Sequence, residues 1–462
     1  MASEAKNGYM GGSTLLAPFA KAIGMPLDQV NFILCQIVAL LFGIPYRKYL
    51  TPAAVGPNIR HGVQIFGGIF SLLFCFGQQT WHVAAQAVVC VALMKTVKSS
   101  RMGPLVFAVS LGYLCVCHAY RVIYDYGGYT LDITLPLMIQ TQRLSGLAFS
   151  LVDGQAKDRE KLNDSQRKQA ISIFPGALEL LSYLWSFHMI LCGPFCFFND
   201  YIDFIEGRNI KESDRNKSKL TAISPRYAVI RKVSLAVPCL LVNNVGPRIF
   251  PLERLKEEEF LNSDFLSKTC YIILVTTVAR FKYYFAWYLA AAVNNSAGLG
   301  YDSDQARNWD LVDNVDIKGV ELSLSMKGLL DNWNVKTSQW LRHCVYERLP
   351  VMNTVCVFAV SAFWHGFYPG YYLCFGTAAA IIIAARTVRR AIRPWFQTSR
   401  SKQVVYDVIT FVASRLALSY ITLAFVLLEF WPSFRVYSAL YFYIHVAVIA
   451  AIALLPTNRS RS

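Results

Sequence analysis

The chain has 462 residues, of which 55% are hydrophobic and only 16% are charged. An ordinary soluble domain carries about 25% charged residues, and the sparse charge excludes a disordered chain or a coiled coil. The formal net charge is +16, but no basic helix or aromatic–basic module of a nucleic-acid-binding protein is present. The composition therefore indicates a polytopic membrane protein that does not bind nucleic acid.

Apolar segments recur along the whole chain, and a bilayer-spanning helix needs about 20 mostly apolar residues. We predict helical segments, in chain order, at 29–45, 62–78, 81–94, 103–120, 131–152, 173–198, 226–246, 265–297, 350–367, 371–388, 405–431 and 436–455. Segment 81–94 is short enough to be re-entrant or strongly tilted. Segment 131–152 carries Gln140, Gln142 and Arg143, so it is amphipathic or faces a cavity. We predict an all-α polytopic membrane protein of about eleven transmembrane helices.

Basic residues cluster in the short loops 155–169 and 208–232 and in the loop that follows 371–388. Because Lys and Arg are enriched in cytoplasmic loops of membrane proteins, we place all three loops in the cytosol. There they offer contacts for phosphate groups or anionic lipid. No loop is long enough for a separate soluble domain, so residues 1–462 are predicted to form a single membrane-embedded domain with short termini.

His365 follows an apolar segment directly, in the sequence Trp364-His365-Gly366. Gly366 permits a close approach to the backbone, and we expect Pro369 and Gly370 to break the helix. A polar group within a membrane segment is costly and is for that reason a functional candidate. An imidazole at such a helix end is a candidate reaction centre, and the alternative is a histidine hydrogen-bonded within a helix bundle.

Asn334 follows Trp333 and lies upstream of Pro350, so Asn334 and His365 belong to different helices that could meet across a chamber. The alternative role for Asn334 is a helix cap or turn residue. His188, in the middle of segment 173–198, is the second candidate histidine. The remaining histidines are expected in loops, at interfaces or in packing positions: His61, His82, His118, His343 and His445.

Tyr283, Trp287 and Asn294 fall at spacings that share roughly one helical face. Such a polar–aromatic face could line a substrate cavity, or it could attach a neighbouring helix through the asparagine. The sequence leaves both interpretations open.

Several chemistries have no motif in this chain. The twelve cysteines lie mostly in apolar segments, where the expected role is that of a small hydrophobic residue, and no zinc spacing is present. There is no G-x-S-x-G elbow, Walker A loop or H-E-x-x-H helix. No histidine is followed by an aspartate at the fifth position. A lone intramembrane histidine favours direct general-base catalysis over a covalent intermediate, without a metal.

Over nearly its whole length the chain resembles the membrane-bound O-acyltransferase family, and most of all its lysophospholipid acyltransferase branch. The matching stretches are Pro26–Phe32, Gly193-Pro194, Lys282-Tyr283-Tyr284-Phe285-Ala286-Trp287, Asp331-Asn332-Trp333-Asn334, Ala362-Phe363-Trp364-His365-Gly366 and Tyr368-Pro369-Gly370-Tyr371-Tyr372. The FYxDWWN motif of the sterol-acylating branch is incomplete here, which disfavours sterol esterification.

The resemblance implies that His365 and Asn334 are catalytic, within helices that enclose a catalytic chamber. It implies acyl-CoA as co-substrate, no cofactor, and residence in the endoplasmic reticulum membrane. It also implies transfer of an unsaturated acyl chain to the sn-2 hydroxyl of a lysophospholipid such as lysophosphatidylethanolamine or lysophosphatidylserine. We further predict substrate-binding roles for Trp333, Trp364, Tyr283, Trp287 and Asn294.

Three alternatives stay open at this point. The acceptor could be lysophosphatidylcholine, lysophosphatidylinositol or a protein. A transporter would require paired acidic residues or broken-helix symmetry at the membrane midplane, and neither is visible in the sequence. A scaffold with an inactive chamber is disfavoured by the presence of both His365 and Asn334. The oligomeric state has no signature in the sequence.

Overall fold

The computed structural model describes residues 11–128, 130–210, 224–302 and 309–455, so residues 211–223 of the predicted basic loop 208–232 lie outside it. In the described ranges the structure is all-helical apart from one isolated antiparallel bridge between Val315 and Trp333. The predicted all-α class is therefore confirmed.

The described helices are α1 (Ala17–Ile23), α2 (Leu27–Tyr49), α3 (Pro52–Phe76), α4 (Trp81–Thr96), α5 (Ser99–Tyr124), α6 (Thr134–Gly154), α7 (Asp164–Gln169), α8 (Ala177–Trp185), α9 (Phe198–Glu206), α10 (Arg226–Ile249), α11 (Glu258–Asn262), α12 (Phe265–Ala297), α13 (Ile317–Glu321), α14 (Met326–Asn332), α15 (Val335–Cys344), α16 (Asn353–His365), α17 (Pro369–Phe396), α18 (Arg400–Leu427), α19 (Phe430–Ala439) and α20 (Tyr443–Leu454). Short 3₁₀ turns connect several of them.

Six stretches of the described chain are long and apolar enough to cross a membrane: Leu27–Tyr49, Pro52–Thr96, Ser99–Tyr124, Arg226–Ile249, Pro369–Phe396 and Arg400–Leu427. The pair α19 and α20, bent by 75°, would make a seventh. The protein is thus a multi-pass membrane protein, and these stretches are fewer than the eleven predicted. Part of the difference lies in α16, which has only 13 residues.

The predicted helix 173–198 is the clearest difference between sequence and structure. Helix α8 ends at Trp185, and turns occupy the chain through Cys192. Gly193 then adopts a φ of +74° immediately before Pro194. A proline cannot donate the backbone hydrogen bond that a continuing helix needs. The apolar composition of this segment therefore reflects burial in the protein and not one continuous span.

The described residues form two compact units, and the first comprises those within 1–236, 286–314 and 336–348. Helix α6 is buried on nearly every side within this unit, which corrects the expectation of an amphipathic or cavity-facing helix. The Arg143 guanidinium donates to the carbonyl oxygens of Tyr183 and Leu184, both at 2.8 Å. The Trp340 indole donates to the Ser145 hydroxyl at 2.8 Å. Such bonds compensate the cost of burying polar groups.

The second unit comprises the described residues within 237–285, 315–335 and 349–462. Here the first turn of α17 contacts the end of α18, where the Gly370 N–H donates to the Leu428 carbonyl at 2.7 Å. A Cβ atom at position 370 would lie 2.1 Å from the Ala424 carbonyl oxygen. Only glycine allows this approach. The contact fixes the chain that directly follows His365.

Candidate active site

His365 is the last residue of α16, two residues before the end of the predicted segment 350–367, and the cause of the helix end differs from the expected one. Gly366 ends the helix with a φ of +119°, and its N–H donates to the carbonyls of Ala362 and Phe363 at 3.1 and 3.2 Å. Pro369 does not break α16; it is the first residue of α17, the position where a proline fits a helix best. The imidazole therefore lies at the junction of two helices.

Four aromatic side chains surround the half-buried imidazole of His365. Its ring centroid lies 5.2 Å from Phe375 in a stacked arrangement and 5.2 Å from Phe425 in an edge arrangement. Trp364 and Tyr371 are 4.7 and 5.7 Å away. Aromatic pairs at these distances are in favourable contact. These rings restrict the orientation of the imidazole, which a proton-transfer group requires.

Asn334 stands between the bridge residue Trp333 and the first residue of α15. Its φ is +48°, a left-handed conformation that asparagine adopts more readily than most residues. The preceding chain is held by the Val315–Trp333 bridge and by the Asp316 N–H, which donates to the Asn332 carbonyl at 3.1 Å. The half-buried amide is therefore presented from a backbone that is fixed on its N-terminal side.

A series of aromatic contacts connects the Asn334 segment with His365 inside the second unit. The Trp333 ring lies 5.9 Å from Tyr283. Tyr283 lies 6.2 Å from Phe425, whose ring contacts His365. The unit thus brings together four of the predicted residues besides Asn334, namely Tyr283, Trp333, Trp364 and His365. Sequence spacing alone gave no indication of Phe425.

Trp287 and Asn294 lie further along α12, in the first unit. Asn294 is fully buried, and its Nδ2 donates to the carbonyls of His188, Gly193 and Ala290 at 3.1, 3.2 and 2.7 Å. Its Oδ1 lies 2.8 Å from His188 Nδ1, which donates to it. This geometry favours attachment of the 188–193 turns to α12 over the cavity-lining interpretation. The substrate-binding role of Asn294 stays a prediction.

Asn294→Ala is expected to lower the stability of the protein by about 1–3 kcal/mol, because the buried carbonyls of His188 and Gly193 and the His188 Nδ1 donor lose the bonds that Asn294 makes to them. Thermal unfolding of the detergent-solubilised protein measures this effect. A melting temperature equal to that of the wild type, together with a raised KM for either substrate, would instead support the substrate-binding role.

A group of charged residues beside Trp333 was not predicted from the sequence. Glu321 accepts bonds from both Arg280 and Arg415, and the Tyr284 hydroxyl donates to it at 2.5 Å. Burial by itself would raise the pKa of Glu321, but Arg280, Tyr284 and Arg415 outweigh it and hold the pKa below its ordinary value. The sequence did contain a signal for this group, because Arg280 and Arg415 lie inside predicted helical segments. A cation buried in such a segment requires an acidic partner.

Two cationic side chains of the predicted cytosolic loop 208–232 form ion pairs within the protein. Arg231 pairs with Asp310 at 2.6 Å, and the fully buried Lys232 pairs with Asp313. By contrast, the predicted loop after 371–388 is helical up to Phe396. Its exposed basic residues lie on the C-terminal part of α17 and the first turn of α18: Arg386, Arg389, Arg390, Arg393, Arg400 and Lys402. The exposed basic residues are therefore the better candidates for phosphate contacts.

In the described ranges no three His, Cys, Asp or Glu side chains form a potential metal site.

The chain is similar to known membrane-bound acyltransferases over most of its length. The family model of the membrane-bound O-acyltransferases matches residues 118–423. The chain is 41% identical to membrane-bound glycerophospholipid O-acyltransferase 2 of Gallus gallus, over 97% of this chain and 89% of that protein. It is 40% identical to membrane-bound glycerophospholipid O-acyltransferase 1 of Homo sapiens, over 96% of this chain and 92% of that protein.

The chain is also 40% identical to lysophospholipid acyltransferase 6 of Drosophila melanogaster, over 98% of its own length, and spans 64% of that relative. These matches confirm the resemblance and the assignment as an enzyme. Two of the stretches on which the resemblance rests, those around Asn334 and His365, lie in the second unit and within the matched range. The protein is an acyltransferase: the chain belongs to the membrane-bound O-acyltransferase family.

Proposed function

We propose that the protein transfers a fatty acyl chain from acyl-CoA to the free sn-2 hydroxyl of a lysophospholipid, with lysophosphatidylethanolamine and lysophosphatidylserine as preferred acceptors. The observation that carries the proposal is the aromatic connection, through Tyr283 and Phe425, between the Asn334 segment and His365. The names of the relatives, which describe lysophospholipid and glycerophospholipid acyltransferases, support the lipid acceptor.

In the proposed reaction the neutral imidazole of His365 accepts the proton of the lysophospholipid hydroxyl. The hydroxyl oxygen attacks the thioester carbonyl carbon, the new ester C–O bond forms, and the C–S bond breaks. The proton then passes from the imidazolium to the departing CoA sulfur, which leaves as the thiol. General-base catalysis of this kind contributes about 10²–10⁴-fold to a rate.

Asn334 is proposed to donate a hydrogen bond from its side-chain amide to the carbonyl oxygen on which negative charge develops. A donor held in place before the reaction stabilises that charge without reorganisation. The backbone constraints on Asn334 described above are consistent with this requirement. The ester product gains no charge at this oxygen, so the bond is strongest in the transition state.

The remaining features follow from family membership and are proposals. About eleven transmembrane helices would enclose a chamber, in which Trp333, Trp364, Tyr283 and Trp287 contact the substrates. The exposed basic residues on the C-terminal part of α17 and the first turn of α18 would bind the phosphates of acyl-CoA on the cytosolic side. The protein would reside in the endoplasmic reticulum membrane and act in phospholipid remodelling.

The test uses the purified protein in nanodiscs with radiolabelled oleoyl-CoA and a panel of lysophospholipids that differ only in headgroup. We expect diacyl product from lysophosphatidylethanolamine and lysophosphatidylserine at higher kcat/KM than from the choline and inositol lipids. Product from the choline or inositol lipid alone would overturn the headgroup assignment. No product from any lysophospholipid, with folded protein, would overturn the lipid acceptor and favour a protein acceptor.

A further inference from the structure

Glu321, the last residue of α13, is bonded to two arginines and a tyrosine at once. Arg280 donates to its two carboxylate oxygens from Nε and Nη2, both at 2.9 Å. Arg415 donates to Oε2 at 3.0 Å and also to the Val320 carbonyl at 2.6 Å. A two-point contact between an arginine and a carboxylate fixes direction as well as distance. The bonds of Arg280 and Arg415 to Glu321 therefore constrain the relative positions of these side chains.

The carboxylate is directly connected to the segment that carries Asn334. Helix α13 begins at Ile317, with Asp316 as its N-cap, and the residue before Asp316 is Val315, which bridges to Trp333. The Tyr284 hydroxyl donates to Glu321 at 2.5 Å, and the ring of the same tyrosine lies 5.7 Å from the Trp333 ring. Glu321 thus holds both the chain that pairs with Trp333 and the aromatic ring on which Trp333 packs.

The carboxylate is also connected to the surroundings of His365. Arg415 belongs to α18, and Phe425, three turns further along the same helix, contacts the His365 ring at 5.2 Å. An intact helix transmits position along its axis, at about 1.5 Å per residue. The bond from Arg415 to Glu321 therefore sets where α18, and with it Phe425, lies relative to α13.

We propose that Glu321 is a positioning residue for acyl transfer, which through Tyr284 and Arg415 sets the placement of Asn334 relative to His365. The inference rests on the proposed function. Glu321 does not touch the substrates in this mechanism. Its contribution is to the geometry of two groups that must act on the same thioester, where a misplacement of about 1 Å can cost about 10²-fold in rate.

Two variants with matched controls test the inference. Tyr284→Phe removes one hydroxyl and retains the ring beside Trp333, and Glu321→Asp retains the charge and shortens the side chain. The control for the first is Tyr271→Phe, on the same helix, where the hydroxyl donates to the Pro251 carbonyl. The control for the second is Glu429→Asp, which perturbs an ion pair with Lys256 in the same unit.

The readouts are kcat and KM for both substrates, with hydrogen–deuterium exchange over residues 315–335. We expect kcat to fall about 10-fold in Tyr284→Phe and about 10²-fold in Glu321→Asp, with each KM within about twofold of the wild type. Exchange should rise in this segment in both variants, and both controls should behave as the wild type.

Unchanged kcat in the two variants overturns the inference, even if exchange rises, because Glu321 then supports the fold alone. A fall in kcat that both controls reproduce overturns it as well. Failure of the proposed function is recognised separately: in that case the wild-type protein itself forms no diacyl product.

Discussion

His365→Ala is expected to lower the rate of acyl transfer about 10²–10⁴-fold, which is the contribution typical of a positioned general base. The substitution removes the only proton-accepting group of the proposed mechanism. The protein should still fold, because His365 is only half-buried and the bonds that end α16 come from the Gly366 backbone. The measurement is single-turnover formation of radiolabelled diacyl lipid, which reports on chemistry separately from product release.

His445→Ala is the matched control, since His445 is a second histidine in the same unit. Its two ring nitrogens are 2.8 Å from the Tyr420 hydroxyl and 3.1 Å from the Thr377 hydroxyl, which gives it a packing role. We expect His445→Ala to lower the melting temperature more than the rate. Equal rates for His365→Ala and His445→Ala would contradict the catalytic assignment of His365.

Removal of the Asn334 side chain is expected to lower kcat about 10²–10³-fold, the usual cost of losing one hydrogen-bond donor to a developing oxyanion. Two substitutions separate this effect from backbone strain. Asn334→Ala removes the amide and places an unfavourable residue at a φ of +48°. Asn334→Gly removes the same amide but tolerates this φ without strain.

If the amide is the catalytic group, Asn334→Gly and Asn334→Ala should be equally slow, and only Asn334→Ala should be less stable. Steady-state kinetics and thermal unfolding of both variants, measured side by side, give this comparison. A near-normal rate for Asn334→Gly would show that the position needs only its backbone conformation, which is the turn role that the sequence left open.

Part of the site was predictable because its chemistry is local in the sequence. His365 next to Gly366, with Pro369 beyond, indicates a polar group at a helix end, and the structure places this end two residues before the predicted one, at His365. The limits of α12 also match the predicted segment 265–297 at both ends. A long apolar pattern with a polar boundary determines a helix without help from its neighbours.

Other features depended on contacts between distant parts of the chain. The segment 173–198 is apolar enough for a span, yet its second half forms turns, because buried turns and buried helices share the same composition. Likewise, nothing near Glu321 in the sequence indicates that Arg280 and Arg415 meet it. An ion pair between residues so far apart in the chain exists only after the helices have packed.

By itself, the sequence determined that the protein is helical, membrane-embedded and a member of an acyltransferase family, and it identified His365 and Asn334 as candidates. Composition and short motifs suffice for these, since each depends on residues that are close together in the chain. Only the tertiary structure decided that Asn294 binds the 188–193 turns, that Phe425 lies between Tyr283 and His365, and that Glu321 joins α13 with α12 and α18. These features depend on which helix faces pack together. The sequence does not determine this, because one helix face can pack against any partner of matching size and polarity.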